Sequence, residues 1–179
     1  MGCRKCAERR RAEAAAKARA TEETSRTAKA VALKAYEEAS AWHRWGWRFI
    51  HRFSLALPAG RLDLKAIQHM RRVVQLFIEV LPCEECRGHA TKFLVSGPAP
   101  RLGRVQTGQA LAMLFYELHN NVRMRQNKSQ PGIEILQEYR DVNLRDAFRG
   151  YSKAAQRELP IIQLTALNAM DTHLKALGL

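Results

Sequence analysis

The chain has 179 residues, 30 Lys and Arg against 17 Asp and Glu, six His and four Cys, with a formal net charge of +13. That length fits one ordinary domain with tails and is short for two full-sized domains. Apolar residues make up 46%, enough for a core, while no run of about 18 uncharged apolar residues could span a membrane and no apolar N-terminal run marks a secretory signal.

Residues 1 to 40 carry ten basic and six acidic side chains and are rich in Ala. Beyond Cys6 they offer almost nothing to bury before Val31 and Leu33. Ala propensity and Glu–Lys or Glu–Arg pairs can support transient helix there, but not a core. The segment is expected to be a flexible, partly helical extension, and its acids argue against an amphipathic transit peptide.

From Ala41 the character changes. Trp42, Trp45, Phe49 and Phe53 step by three and four residues and form one helical stripe, while Trp47, His51 and Leu55 form a second on roughly the opposite face. A helix apolar on both sides is sandwiched between others. Pro58-Ala59-Gly60 ends it, and Asp63 is placed to cap the next helix, where Ile67, Met70, Val74, Phe77 and Leu81 repeat at helical spacing. Pro82 stops that helix and can open another carrying Cys83, Cys86, Ala90, Phe93 and Leu94. Ser96-Gly97-Pro98-Ala99-Pro100 reads as a loop. Thr107 caps a fourth helix with Leu111, Phe115, Leu118 and Val122 inward. After Pro131-Gly132 a fifth periodic segment runs from Ile133 towards Tyr139 and Phe148, and Leu164 to Leu177 closes the chain as a helix. No sustained period-two alternation occurs, so the fold class is all-α.

The four cysteines form two Cys-x-x-Cys pairs. Cys83-Glu84-Glu85-Cys86 follows Pro82 at a helix start, where free backbone N–H groups favour a thiolate. The two sulfurs can also bond to each other one turn apart, the wiring of a redox disulfide. A thioredoxin reading requires a βαβ context, and this context is helical. Cys3-Arg4-Lys5-Cys6 sits among basic neighbours on a tether able to sweep a wide radius. Two other readings stay open for these sulfurs. All four could bind one structural zinc, despite the long gap between pairs. Alternatively Met1-Gly2-Cys3 could be acylated, although the myristoylation pattern asks for Ser or Thr where Cys6 stands. His51 and His119, each on an apolar helix face, read singly as core histidines. His43, His69 and His173 suggest no role.

In order along successive helices stand Trp47-x-x-x-His51, Leu81-Pro82-Cys83-Glu84-Glu85-Cys86, and His119-Asn120-x-Val122 with Lys128. Together these resemble the Erv/ALR family of flavin-dependent sulfhydryl oxidases over roughly Ala41 to Tyr139. The resemblance implies a small helical bundle holding FAD, usually homodimeric, that oxidises protein dithiols and reduces O2 to hydrogen peroxide. It implies Cys83 as the exchange partner of substrate, Cys86 as the sulfur facing the flavin, and Cys3 and Cys6 as an electron shuttle. Trp47, His51, His119, Asn120 and Val122 would contact the cofactor, with Lys128 reaching its phosphates. Arg123 replaces the second Asn of the family's His-Asn-x-Val-Asn and could meet a phosphate instead. Tyr139 takes the place of the aromatic that stacks near the adenine. The domain expectation is therefore an extension at 1–40, an oxidase domain at 41–142, and a further helical segment at 143–179 without an assigned task. No nucleic acid partner or transmembrane segment is expected. The compartment stays open between the mitochondrial intermembrane space and the host cytoplasm or virion of a large DNA virus. Two rival classes would use the same residues differently: a zinc-stabilised basic module binding nucleic acid, or a scaffold held by acyl groups on Gly2 and Cys3.

Overall fold

The computed structural model describes residues 17, 19, 21–25, 41–96 and 100–179, apart from the side chains of residues 161 and 162. The chain divides into two units, Met1–Ser40 and Ala41–Leu179. In the first, the described residues are helical, and the Thr21 hydroxyl donates to the Lys17 carbonyl one turn back, at 2.8 Å. The expectations for Cys3, Cys6 and residues 97–99 lie outside the described residues.

The second unit contains six α-helices: α1 (Ala41–Ala56), α2 (Leu64–Glu79), α3 (Glu84–Leu94), α4 (Gly108–Arg125), α5 (Leu144–Ala155) and α6 (Ile161–Ala176). Short 3₁₀ turns occupy Leu102–Arg104 and Ile133–Tyr139. Among the described residues there is no strand, only an isolated bridge between Arg61 and Thr107. The all-α reading holds.

Side-chain caps start the helices where the sequence places them. The Asp63 carboxylate accepts the Ala66 N–H at 2.7 Å, and the Thr107 hydroxyl accepts the Ala110 N–H at 3.0 Å. Each satisfies a first-turn donor that has no partner within its helix. A tighter junction joins α1 to α4. A Cβ on Gly108 would lie 2.7 Å from the Leu57 carbonyl oxygen, so glycine lets α4 begin against the end of α1.

Helix α1 lies in the middle of the unit, against α4, α5 and the Ile133–Tyr139 turn. Trp42, Phe49 and Phe53 are buried on one face and His51 on the other, as a helix apolar on two sides requires. Helix α2 packs against α3 and α6 and buries Ile67, Met70, Val74 and Phe77.

One segment departs from its periodicity. Ile133 to Phe148 reads as a single apolar stretch, yet it divides into the 3₁₀ turn and α5. The Asn143 side chain accepts the Asp146 N–H at 3.0 Å and so starts a new helix. Just before it, the Val142 carbonyl accepts from Arg52 Nε at 2.7 Å, which fixes the corner on α1. Local side-chain capping overrides continuous spacing here. The segment beyond Asn143 contributes to the same core, with Ala147, Tyr151, Met170 and Leu174 all fully buried.

Candidate active site

Cys83 is the N-cap of α3, and its Sγ accepts the Cys86 N–H at 3.1 Å. The two cysteines form a disulfide with their Cα atoms 5.1 Å apart. Arg87 donates to the Leu81 carbonyl at 2.6 Å and ties the first turn of α3 to the segment leading into it. Both cysteines are half-buried. Free N–H groups at the start of α3 stabilise a thiolate when the disulfide opens. Sulfurs bonded to each other offer no thiolate to zinc. Among the described residues no three His, Cys, Asp or Glu side chains converge as metal ligands.

Cys86 forms part of the wall of a cavity of about 330 Å³, which also meets Trp47 of α1 and Val122 of α4. Trp42, Phe77 and Leu81 add an apolar lining. Such a volume and lining lie within the range of small-molecule sites.

A stack of rings adjoins the cavity through Trp47. The Trp47 and His119 rings are 3.9 Å apart and nearly parallel, at 4°. His51 Nε2 and His119 Nδ1 share a hydrogen bond of 3.0 Å, and the Tyr139 ring stacks 4.5 Å from His51. The histidines are 68 residues apart in sequence, so only the crossing of α1 and α4 brings them together. Burial first, then the neighbouring His119, lowers the His51 pKa to about 3. Burial first, then Arg123, lowers that of His119 to about 4. Both rings are therefore neutral at physiological pH, one N–H donating to the other ring's lone pair. His51 Nδ1 is buried with no hydrogen-bond partner among the described residues.

These histidines set a pH dependence of stability. In the folded state they refuse protons that the unfolded chain accepts below its pKa of 6.5. Their contribution is complete above that value and is lost as pH falls through 6.5 towards 4 and 3. For His51 the slope approaches about 1.4 kcal/mol per pH unit. Urea midpoints should drop between pH 7 and pH 5, and His51→Gln should flatten that drop. A midpoint in the parent protein that is equal at both pH values would refute it.

Asn120, Arg123 and Lys128 meet at the end of α4. The Asn120 amide and the Tyr116 hydroxyl both donate to the Pro131 carbonyl, at 3.2 and 3.0 Å. Arg123 Nε donates to the Ser129 carbonyl at 2.5 Å, and the Arg123 carbonyl accepts the Lys128 N–H at 2.9 Å. Asn127 makes this turn possible with a left-handed φ of 54°, a conformation that Asn tolerates better than most residues. Arg123 and Asn120 therefore shape the turn that carries Lys128.

The sequence-predicted residues thus fall into three groups. Cys86, Trp47 and Val122 share the cavity; Trp47, His51, His119 and Tyr139 share the ring stack; Asn120, Arg123 and Lys128 share the turn. Cys83 stands beside the cavity as the disulfide partner of Cys86. Sequence reasoning missed His43, His89 and Gln126, which also line the cavity with Arg125. His89 follows Cys86 by three residues, a helical spacing that could have found it. Arg125 is legible in sequence only as part of the basicity beside Arg123 that suits an anionic cofactor.

A family model described as the Erv1 / Alr family matches residues 44–141. A protein of Invertebrate iridescent virus 3, assigned by name to the FAD-linked sulfhydryl oxidases, is 32% identical over 123 residues, 65% of this chain and 76% of that protein. FAD-linked sulfhydryl oxidases from two isolates of African swine fever virus are 31% identical over 90 residues, 47% of this chain and 69% of theirs. No solved structure matches the chain.

Proposed function

The chain belongs to the Erv1/Alr family, and from that premise we infer that it is an FAD-dependent sulfhydryl oxidase, converting protein dithiols to disulfides and reducing O2 to hydrogen peroxide. The single observation that carries the assignment of roles is the Cys83–Cys86 disulfide with Cys86 on the wall of an aromatic cavity.

The residues present fit such a cofactor. The cavity is walled largely by apolar side chains, a planar-ring stack adjoins it, and the buried His51 Nδ1 lacks a partner among the described residues. Trp47 and Val122 would hold the ring system beside Cys86. His51, His119 and Asn120 would face the flavin with Trp47, and Tyr139 would stand near the adenine. Arg123 and Lys128 would place positive charge near the phosphates. Bound FAD supplies the two-electron acceptor that returns the dithiol to a disulfide and then passes electrons to O2.

The chain's own part is thiol exchange. A substrate thiolate forms a bond to Cys83 Sγ as the Cys83–Cys86 bond breaks, and the electron pair leaves on Cys86. A second substrate thiolate then attacks the mixed disulfide, which forms the substrate disulfide and frees Cys83. Cys83 suits exchange as the leading cysteine at the helix start, and Cys86 suits the inner role because it lines the cavity. Cys3 and Cys6, on their sequence alone, suit a shuttle that carries electrons from substrate to this pair. A homodimer rests on the family resemblance. No helix among the described residues is long and apolar enough to cross a membrane.

Purified with ample riboflavin supply, the protein should absorb in the flavin region of the visible spectrum and consume O2 when given dithiothreitol. A colourless preparation that leaves O2 untouched would overturn the reading.

A further inference from the structure

Arg125, in the last turn of α4, lines the same cavity as Cys86. It is the one Lys or Arg among the described residues that do so. Two side chains of α3 grip it. The guanidinium donates to His89 Nε2 and pairs with the Glu85 carboxylate at 3.7 Å. An Nε2 that accepts makes His89 a neutral ring with its proton on Nδ1, and burial, then Arg125, lowers its pKa. Glu85 and His89 flank Cys86 in sequence, so the same helix turn that presents the sulfur also anchors the cation.

Opening the disulfide puts an electron pair on Cys86 beside Trp47, Phe77 and Leu118. Apolar walls raise a thiol pKa, and a fixed cation lowers it. The charged and titratable groups facing the cavity are Glu85 and His89 from α3, His43 from α1 and Arg125 from α4. The Glu85 side chain is 86% exposed and that of Arg125 52%, so water screens the carboxylate more than the guanidinium. The free N–H groups at the start of α3 act in the same direction as the guanidinium.

We propose that Arg125 is a positioning residue for thiol oxidation, held by Glu85 and His89 so that its charge keeps Cys86 a thiolate once the disulfide opens. The proposal rests on the role given to Cys86 above. No proton moves as the substrate–Cys83 bond forms and the Cys83–Cys86 bond breaks. Arg125 decides whether Cys86 then takes a proton from water or stays charged.

The test uses the full chain with its flavin, carrying Cys83→Ser so that Cys86 is a free thiol, with and without Arg125→Gln. Iodoacetamide alkylation of the Cys86 peptide is followed by mass spectrometry from about pH 5 to 9, a range that brackets depressed and ordinary thiol pKa values. The midpoint should rise by about one unit in Arg125→Gln, a roughly tenfold loss of thiolate at pH values below both midpoints, and Arg125→Lys should stay nearer the parent. The same midpoint in both proteins overturns the proposal. So does a midpoint near about 8.5, that of an ordinary thiol, in the parent. A flavin covering Cys86 slows the plateau rate in both proteins and leaves the midpoint readable. The alkylation midpoint needs no turnover, so a protein without flavin or oxidase activity would defeat the assigned function while still reporting on Arg125.

Discussion

Cys86→Ser leaves a yellow protein whose dithiol oxidation falls by at least roughly a thousandfold, as expected when the reacting nucleophile is removed. The two residues are close in size, but a serine hydroxyl cannot form the disulfide or leave as an anion near neutral pH. The crosslink spans only three residues, so its loss removes little loop entropy and the bundle should still fold. Cofactor retention follows because the apolar walls contributed by Trp42, Trp47, Phe77 and Leu81 are untouched. Cys83 remains as a lone thiol, with no disulfide for a substrate thiolate to attack. The measurement pairs a visible spectrum with an oxygen electrode. Robust oxidation of dithiothreitol by the serine variant would remove Cys86 from the reaction.

The parts of this arrangement that could be read from sequence are those set by short-range chemistry. Asp63 and Thr107 announce helix starts because a side-chain oxygen three residues ahead of a free N–H has one obvious use. The two stripes of α1 follow from its spacing alone. Cys83-x-x-Cys86 after Pro82 marks a helix-start thiol pair for the same local reasons, and the bond between the sulfurs decides between disulfide and zinc there. The ring stack was legible only through family resemblance, since nothing within α1 or α4 says that His51 and His119 will meet across 68 residues. The break before Asn143 was legible only as the end of the family resemblance, because apolar periodicity runs straight through it. Arg125 was legible only as one member of a basic stretch with Arg123, and the α3–α4 contact singles it out. Residues 143–179 gave no functional signal, and their contribution is a matter of packing between helices far apart in sequence.

Tyr151→Ala is expected to destabilise the protein by about 3–5 kcal/mol, the range for removing a large buried aromatic side chain. Tyr151 belongs to α5, beyond the residues that the family model covers, yet it is fully buried. Its ring lies 6.0 Å from Phe49 and 5.3 Å from Phe77. A Cβ on Gly46 would sit 3.3 Å from it, so α1 and α5 approach closely along this line. Gly150, the preceding residue, makes room for Trp45, because a Cβ there would fall 2.4 Å from the indole ring. The Tyr151 hydroxyl donates to the Val80 carbonyl at 3.1 Å. Val80 caps the end of α2 and stands three residues before Cys83, so the bond ties α5 to the segment that presents the disulfide. Burial raises the phenol pKa and keeps this donor protonated. Tyr151→Phe separates the two contributions: it keeps the ring and strands a buried carbonyl, at a cost of about 1–3 kcal/mol. Urea unfolding followed by helical circular dichroism should rank parent, Tyr151→Phe and Tyr151→Ala in falling order. A parent-like midpoint for Tyr151→Ala would mean that α5 unfolds independently of α1 and α2, and the buttress on Val80 would have to be abandoned.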